Sequence, residues 1–485
     1  MSETVSTMPT EVPGRNPLPG PRFLWRAGQI GCAQVIRRAA RFVFLFAVAR
    51  KLGPETFGIY ALLLAVVETL SLLSGEGFID FLARESSQAP EKVRGLVRQV
   101  TGLRSLYGAL LLPCGLALLY ALGYRRGVLG AAFVLFLTLL ARAPLSAAQG
   151  VLRAAHRVAP LVWLEAIQGA LLLGALAFLL AGRMSLTAVA SAELVSTAGA
   201  AAAGLFFLKT TAREPGNAGL PWREFFRASA AFNLYPLITN IYDRVDIVLL
   251  SALAGNAAAG VYALPYRALS VLQIVPFGLM TALLPAIAGR HRQDEALCRQ
   301  VSAALFTLAL FPVIAVMLLA EPLVGTVLGA AYRESAPVFR VLVWAAIPMF
   351  MNFGLNNLLL ARGRERAFLR TTLLCALVNI VLNALLIPRF SFYAAAGATI
   401  ATEGVLLVQN VAIIRSSFGF FPIPSAVPAT FAVFAVLLGA ALLGSAYLPP
   451  VLPAGAASAL LALYAYRAGS LRSILRWPAP QGAAG

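Results

Sequence analysis

What most constrains this chain is a succession of apolar stretches, each about 20 residues long, that runs from residue 28 to residue 468. Twenty residues of α-helix rise about 30 Å, the thickness of the hydrocarbon layer of a bilayer. Lipid offers backbone polar groups no water, so each stretch must satisfy its own N–H and C=O groups within a helix. The expected fold is therefore all-α, a polytopic membrane protein of about fourteen transmembrane helices. Composition agrees. With 60% hydrophobic residues, 12% charged residues and a mean hydropathy of +0.81, the 485 residues carry more apolar surface than a soluble core could hide.

Spans are expected near residues 28–49, 59–80, 99–122, 128–150, 159–181 and 186–208, forming an N-lobe within 25–215. A polar connector from Lys209 to Arg227, with Pro215, Gly216, Gly219 and Pro221, marks the lobe boundary. A C-lobe within 216–418 follows, with spans near 230–253, 259–287, 301–320, 336–361, 367–388 and 394–414. An extra helix pair occupies 419–468, near 426–447 and 450–467, and residues 1–24 and 469–485 read as disordered cytoplasmic tails. The longest external segment is expected near Glu321 to Ser335. Pro113, Pro144, Pro236, Pro265, Pro276, Pro312 and Pro348 fall in or near spans, where each removes a backbone bond and can bend its helix.

The lobes carry an internal repeat. Gly53, Gly58, Tyr60, Ala61 and Leu62 recur 202 positions later as Gly255, Gly260, Tyr262, Ala263 and Leu264. Both copies enter the second span of their lobe from the same side, which makes the lobes topologically parallel, related by an axis along the membrane normal.

The formal charge of +19 raises the question of nucleic acid. Most of the basic residues fall in loops on one side, however, which is the positive-inside pattern with both termini cytoplasmic, and no nucleic-acid partner is expected. Cys32, Cys114, Cys298 and Cys375 are dispersed without metal-ligand spacing and read as buried apolar residues; His156 and His291 fall in expected loops. The sequence calls for no metal or cofactor.

Charges inside spans carry the functional signal, since one at mid-membrane costs roughly 2.5–3.5 kcal/mol on insertion scales. The first span holds Arg37, Arg38 and Arg41, with Arg41 near mid-depth and no acid at i±3 or i±4. Glu68 lies in span 2, Arg142 in span 4, and Glu165 and Glu193 in spans 5 and 6. Span 7 carries Asp243, Arg244 and Asp246, and span 8 carries Arg267, which could neutralise the two aspartates, as could a cation. Arg37, Arg38, Arg41, Arg142, Arg244 and Arg267 are candidate substrate-binding residues because the guanidinium fork holds two oxygens of a phosphate at once. Glu68, Asp243 and Asp246 are candidates for ion coupling or charge pairing. Asn352, Asn356, Asn357, Asn379 and Asn383 could bond sugar hydroxyls or bridge packed helices.

Four segments carry a family resemblance. Ala49-Arg50-Lys51-Leu52-Gly53-Pro54-Glu55-Thr56-Phe57-Gly58-Ile59-Tyr60 resembles the start of polysaccharide flippases of the Wzx type, in the exporter superfamily that also holds MurJ and the MATE multidrug exporters. Asp246-Ile247-Val248-Leu249-Leu250 with Gly260-Val261-Tyr262 is similar to the start of that family's second lobe. Leu328-Gly329-Ala330-Ala331-Tyr332 resembles its loop between spans 9 and 10, and the stretch from Asn379 through Leu386-Ile387-Pro388 to Gly397-Ala398 its connection between spans 11 and 12. The resemblance covers roughly residues 25–415. It implies a two-lobed bundle in a bacterial inner membrane that carries a polyprenyl-pyrophosphate-linked oligosaccharide across by alternating access, beside polysaccharide polymerase and export components. Residue by residue it reaches Arg41, with Arg37 and Arg38 near it, and Asp246; Arg142, Arg244 and Arg267 match no family motif. A cation-coupled multidrug exporter of the same fold is the alternative reading, and a membrane glycan polymerase or ligase a second one.

Overall fold

The structure is a computed structural model that describes residues 21–155, 157–211, 219–289 and 294–470, and among these it describes no side chains at 21–37, 90, 210–211, 230–239, 241–242, 282, 284–289 or 294. The described residues contain helices and turns and no strand. In chain order the helices are α1 (Pro21–Leu73), α2 (Phe78–Gln88), α3 (Val93–Ala121), α4 (Arg126–Phe136), α5 (Thr138–Ala154), α6 (Val158–Ala181), α7 (Leu186–Thr211) and α8 (Trp222–Leu253). They continue as α9 (Asn256–Leu272), α10 (Ile274–Gly289), α11 (Asp294–Val327), α12 (Ser335–Leu342), α13 (Ala346–Ala361), α14 (Glu365–Phe418), α15 (Ala426–Gly444) and α16 (Val451–Arg467).

Among the described residues, ten helical stretches are long and apolar enough to cross a membrane. Two of them, Arg38–Gln88 and Glu365–Phe418, run for 51 and 54 residues, and helix of that length, roughly 75–80 Å, suffices for two crossings. Each is broken by a residue of positive φ, Gly53 at 74° in α1 and Ser391 at 49° in α14. Prolines place other breaks. The carbonyl left free by Pro276 belongs to Leu272, where α9 ends, and that left free by Pro348 belongs to Trp344, in a single 3-10 turn before α13. Pro113, Pro265 and Pro312, by contrast, sit inside continuous helix. Leu373, Leu377, Val381 and Leu385, four residues apart along α14, stay exposed as a lipid-facing stripe.

Several helices extend beyond the apolar stretches read from the sequence. The connector expected over Lys209 to Arg227 is helical at both ends, in α7 through Thr211 and in α8 from Trp222, while 212–218 lie outside the described residues. Phe225 anchors the early turn of α8 against Phe78 and Phe81, with ring centroids 5.5 and 5.1 Å away. The external segment expected from Glu321 is helical through Val327. Cys114 is exposed rather than buried, on the face of α3 that also presents Leu106, Leu110 and Leu118, while Cys298 and Cys375 are buried. Cys32, His156, His291 and Pro236 lie where no side chain is described.

Without a hydrophobic drive between helices in lipid, close packing must hold the bundle together. The repeat supplies it. α1 packs on α9 with Gly58 against Gly260, so tightly that a Cβ on Gly58 would stand 1.7 Å from the Asn256 carbonyl oxygen and one on Gly260 2.0 Å from that of Pro54. Tyr60 and Tyr262, two residues on, are fully buried beside this contact.

Near the turns that precede these glycines the contacts are reciprocal. Tyr332, after the positive-φ Gly329, donates to the Ala49 carbonyl at 3.1 Å. Tyr124, after the positive-φ Gly123, lies 2.8 Å from Ser251 Oγ and donates to Asn256 Oδ1 at 2.5 Å. Ala49 and Ser251 are themselves 202 positions apart, so each half reaches over to the same place on the other. Arg50 adds a bond from Nη1 to the Thr326 carbonyl at 2.8 Å, a cation at the C-terminus of α11. This end of the bundle is closed by these bonds. Each is worth about 0.5–1.5 kcal/mol net. The double variant Tyr124→Phe/Tyr332→Phe is therefore expected to raise thiol labelling of a cysteine placed at Ala254, in a background lacking the native cysteines, by roughly tenfold. Labelling equal to that of the parent would show that the tyrosines do not hold this end shut.

Candidate functional site

Away from the closed end the bundle encloses a cavity of about 560 Å³, within the usual range for ligand sites. Its lining residues recur on inward faces: Glu68 and Leu72 on α1, Glu76 in the turn that follows, Ile79 on α2, and the polar row Arg142, Ser146, Gln149 and Arg153 at helical spacing along α5. A second space of about 270 Å³, lined by Arg38, Phe42 and Tyr266 among others, shares Arg41, Asp243, Arg244 and Arg267 with the first.

Glu68 is the hub of the charges. Its Oε2 lies 2.9 Å from Arg244 Nε, and its Oε1 lies 3.3 Å from Arg267 Nη2 and 3.7 Å from Arg41 Nη2. One carboxylate thus gathers arginines from α1, α8 and α9. Arg41 also stands 3.5 Å from Glu193 of α7, whose Oε1 accepts the Tyr60 hydroxyl at 2.8 Å. Arg41 Nη2 and Arg244 Nε are within reach of these acids without completing hydrogen bonds, and Arg244 Nη1 has no hydrogen-bond partner. The cluster is therefore held by charge while leaving donors unfilled.

The neutralisation expected of Arg267 is corrected here: it pairs with Glu68 rather than with the aspartates of α8. Asp246 is 2% exposed and accepts from the Tyr262 hydroxyl at 2.5 Å and from the Ile247 amide at 2.8 Å, so Tyr262 does in its half what Tyr60 does in the other. Asp243, one turn earlier, is exposed and lines both spaces. Arg38 is exposed and lines the smaller space, and the Arg37 side chain lies outside the described residues. Arg142 lines the larger cavity with no ion pair among the described residues.

Asn352 and Asn356 take part in structural bridges between α13 and α14, while Asn379 and Asn383 bond each other within α14. Asn352 donates to the Glu403 carboxylate at 2.8 Å, Asn410 donates to Asn352 at 3.1 Å and to Asn356 at 3.0 Å, and Asn383 donates to Asn379 at 2.9 Å. Asn357 bonds the carbonyl of Phe353 in its own helix. None of these five expected asparagines lines either space.

Three charged lining residues were missed by the reading of spans, Arg104, Glu76 and Arg153. Arg104 lies five residues inside the start of span 3, where an arginine ordinarily reaches back to the interface, and so drew no notice; burial to 1% exposure is the signal that separates it.

This bundle has the fold of the multidrug and lipid-linked oligosaccharide exporters. It superposes on a structure described as the lipid II flippase MurJ in an inward closed conformation, with a TM-score of 0.71 at 12% identity over 90% of this chain and 99% of that one. It also superposes on an inward-facing MATE-family multidrug resistance transporter, with a TM-score of 0.69 at 14% identity over 79% and 94% of the two chains. The chain belongs to the polysaccharide biosynthesis protein family, whose profile matches residues 27–291; the MatE profile matches residues 234–385. A curated relative, the "probable low-salt glycan biosynthesis flippase Agl15" of Haloferax volcanii, is 19% identical over 79% of this chain and 82% of its own length.

Proposed function

We propose that this protein is a flippase that carries a polyprenyl-pyrophosphate-linked oligosaccharide from the cytoplasmic to the opposite leaflet of the cell membrane by alternating access, without catalysing a covalent step. The observation that carries this reading is the arginine-lined cavity of about 560 Å³, shut at one end of the bundle by paired contacts between the two repeat copies. The positive-inside pattern supports an external closed end and cytoplasmic termini. Membership in the polysaccharide biosynthesis family supports a glycan as cargo. Unfilled guanidinium donors on Arg41 and Arg244 suit an anionic head group, and amides and hydroxyls on the same walls suit sugars. A multidrug exporter of cations would place acidic and aromatic groups in that position instead, which the six arginines of the lining disfavour.

A deletion strain should accumulate lipid-linked oligosaccharide on the cytoplasmic face, and reintroduced wild type should clear it. Arg41→Ala should reach the membrane yet fail to clear it, and Arg41→Lys should restore only part of the export because it lacks the bidentate fork. Normal export by a normally expressed Arg41→Ala protein would remove Arg41 from the site. Absence of any accumulation in the deletion strain would remove the flippase reading itself.

A further inference from the structure

The six arginines of the cavity differ in how far the protein itself satisfies them. Arg41, Arg244 and Arg267 share Glu68, and Arg153 is bound to Asp80 at 2.8 Å. Arg104 and Arg142 make no ion pair among the described residues. Arg104 is 1% exposed, and only its Nη2 has a hydrogen-bond partner, Ser71 Oγ at 3.2 Å; that hydroxyl lies 3.1 Å from Glu76 Oε2, to which it donates. Nε and Nη1 of Arg104 have none.

A buried guanidinium with two idle donors is costly unless something fills them, because the charge has left water without full compensation. Arg142 puts a second positive charge on the same lining, so the two cations repel where an anion would attract both. Beside them on the lining stand Ser146, Gln149 and Gln168, neutral groups that suit sugar hydroxyls. An anion held by both arginines would stand among these neutral groups, with Glu76 and Glu165 on the same lining.

We infer that Arg104, together with Arg142, binds an acidic group on the glycan part of the cargo, the carboxylate of an acidic sugar. This rests on the flippase reading above. A phosphate would satisfy the same two arginines, so the test separates the two oxyanions.

The full chain is reconstituted in proteoliposomes with two polyprenyl-pyrophosphate disaccharides that differ only in their second sugar, glucose or glucuronate. Translocation is read as the sugar becoming accessible to a membrane-impermeant glycosidase, and the measured quantity is the ratio of the two rates at limiting probe. Wild type is expected to move the glucuronate probe roughly tenfold faster, the scale of one charge-assisted hydrogen bond, and Arg104→Gln should bring the ratio to about one. Arg104→Lys, which keeps the charge without the fork, should fall between them, and it carries the comparison if Arg104→Gln does not fold. A folded Arg104→Gln protein with the wild-type ratio overturns the inference, including the case where both probes slow equally, since Arg104 would then be reading the phosphate common to both. A wild-type ratio near one with both probes moving overturns it as well. If wild type moves neither probe, the flippase reading fails and this inference with it.

Discussion

Purified Glu68→Gln protein is expected to lose about 3–5 kcal/mol of stability, the usual consequence of removing one partner from a buried ionic cluster. Glu68 is the shared acid of Arg41, Arg244 and Arg267, and its side chain is 15% exposed. Without it, three guanidinium groups from α1, α8 and α9 face one another, and Glu193 reaches only Arg41. The measurement is the midpoint of thermal unfolding in detergent, followed by the retention of monodisperse protein. A second change makes the cause specific: Arg244→Gln in the Glu68→Gln background removes one stranded cation and should recover part of the loss, a sign of coupling that independent sites would not show. A Glu68→Gln protein as stable as wild type would mean that the arginines are solvated through the cavity and need no acid.

The glycine contact between the repeat copies should be equally intolerant. Gly58→Val and Gly260→Val each force backbone to part from backbone, since even a Cβ would meet Asn256 O at 1.7 Å or Pro54 O at 2.0 Å. Inserting bulk into a packed interior costs about 1–3 kcal/mol and more where backbone itself must move. In a membrane, where helices associate by fit rather than by the hydrophobic effect, that cost falls on the association of the two halves. The expected outcome is little or no folded protein from either variant. Gly102→Val and Gly130→Val, where a Cβ meets nothing within 4 Å, should be produced at wild-type yield. Equal yields from all four would show that α1 and α9 can separate without cost, and the role of the repeat as the seam of the bundle would be lost.

Both predictions turn on residues that the chain displays openly, yet only part of what they do could be read there. Lipid as solvent dictates the helices, because a backbone that cannot reach water must bond to itself, and so the apolar stretches declare the fold. The 202-residue repeat is visible for the same local reason: Gly53 and Gly255, at φ 74° and 91°, occupy a conformation that glycine alone adopts freely, so the pattern survives in both copies. Arg41 announced itself as a charge without an acid on its own helix. What the sequence could not determine was which acid it meets. Glu193 lies 152 positions away and Glu68 pairs with Arg267 across 199, and no periodicity links positions so far apart. Only the packing of α1 against α7, α8 and α9 decided that Glu68 would gather three arginines and leave Arg104 with empty donors, because burial and partnership are properties of the space between helices rather than of any one of them.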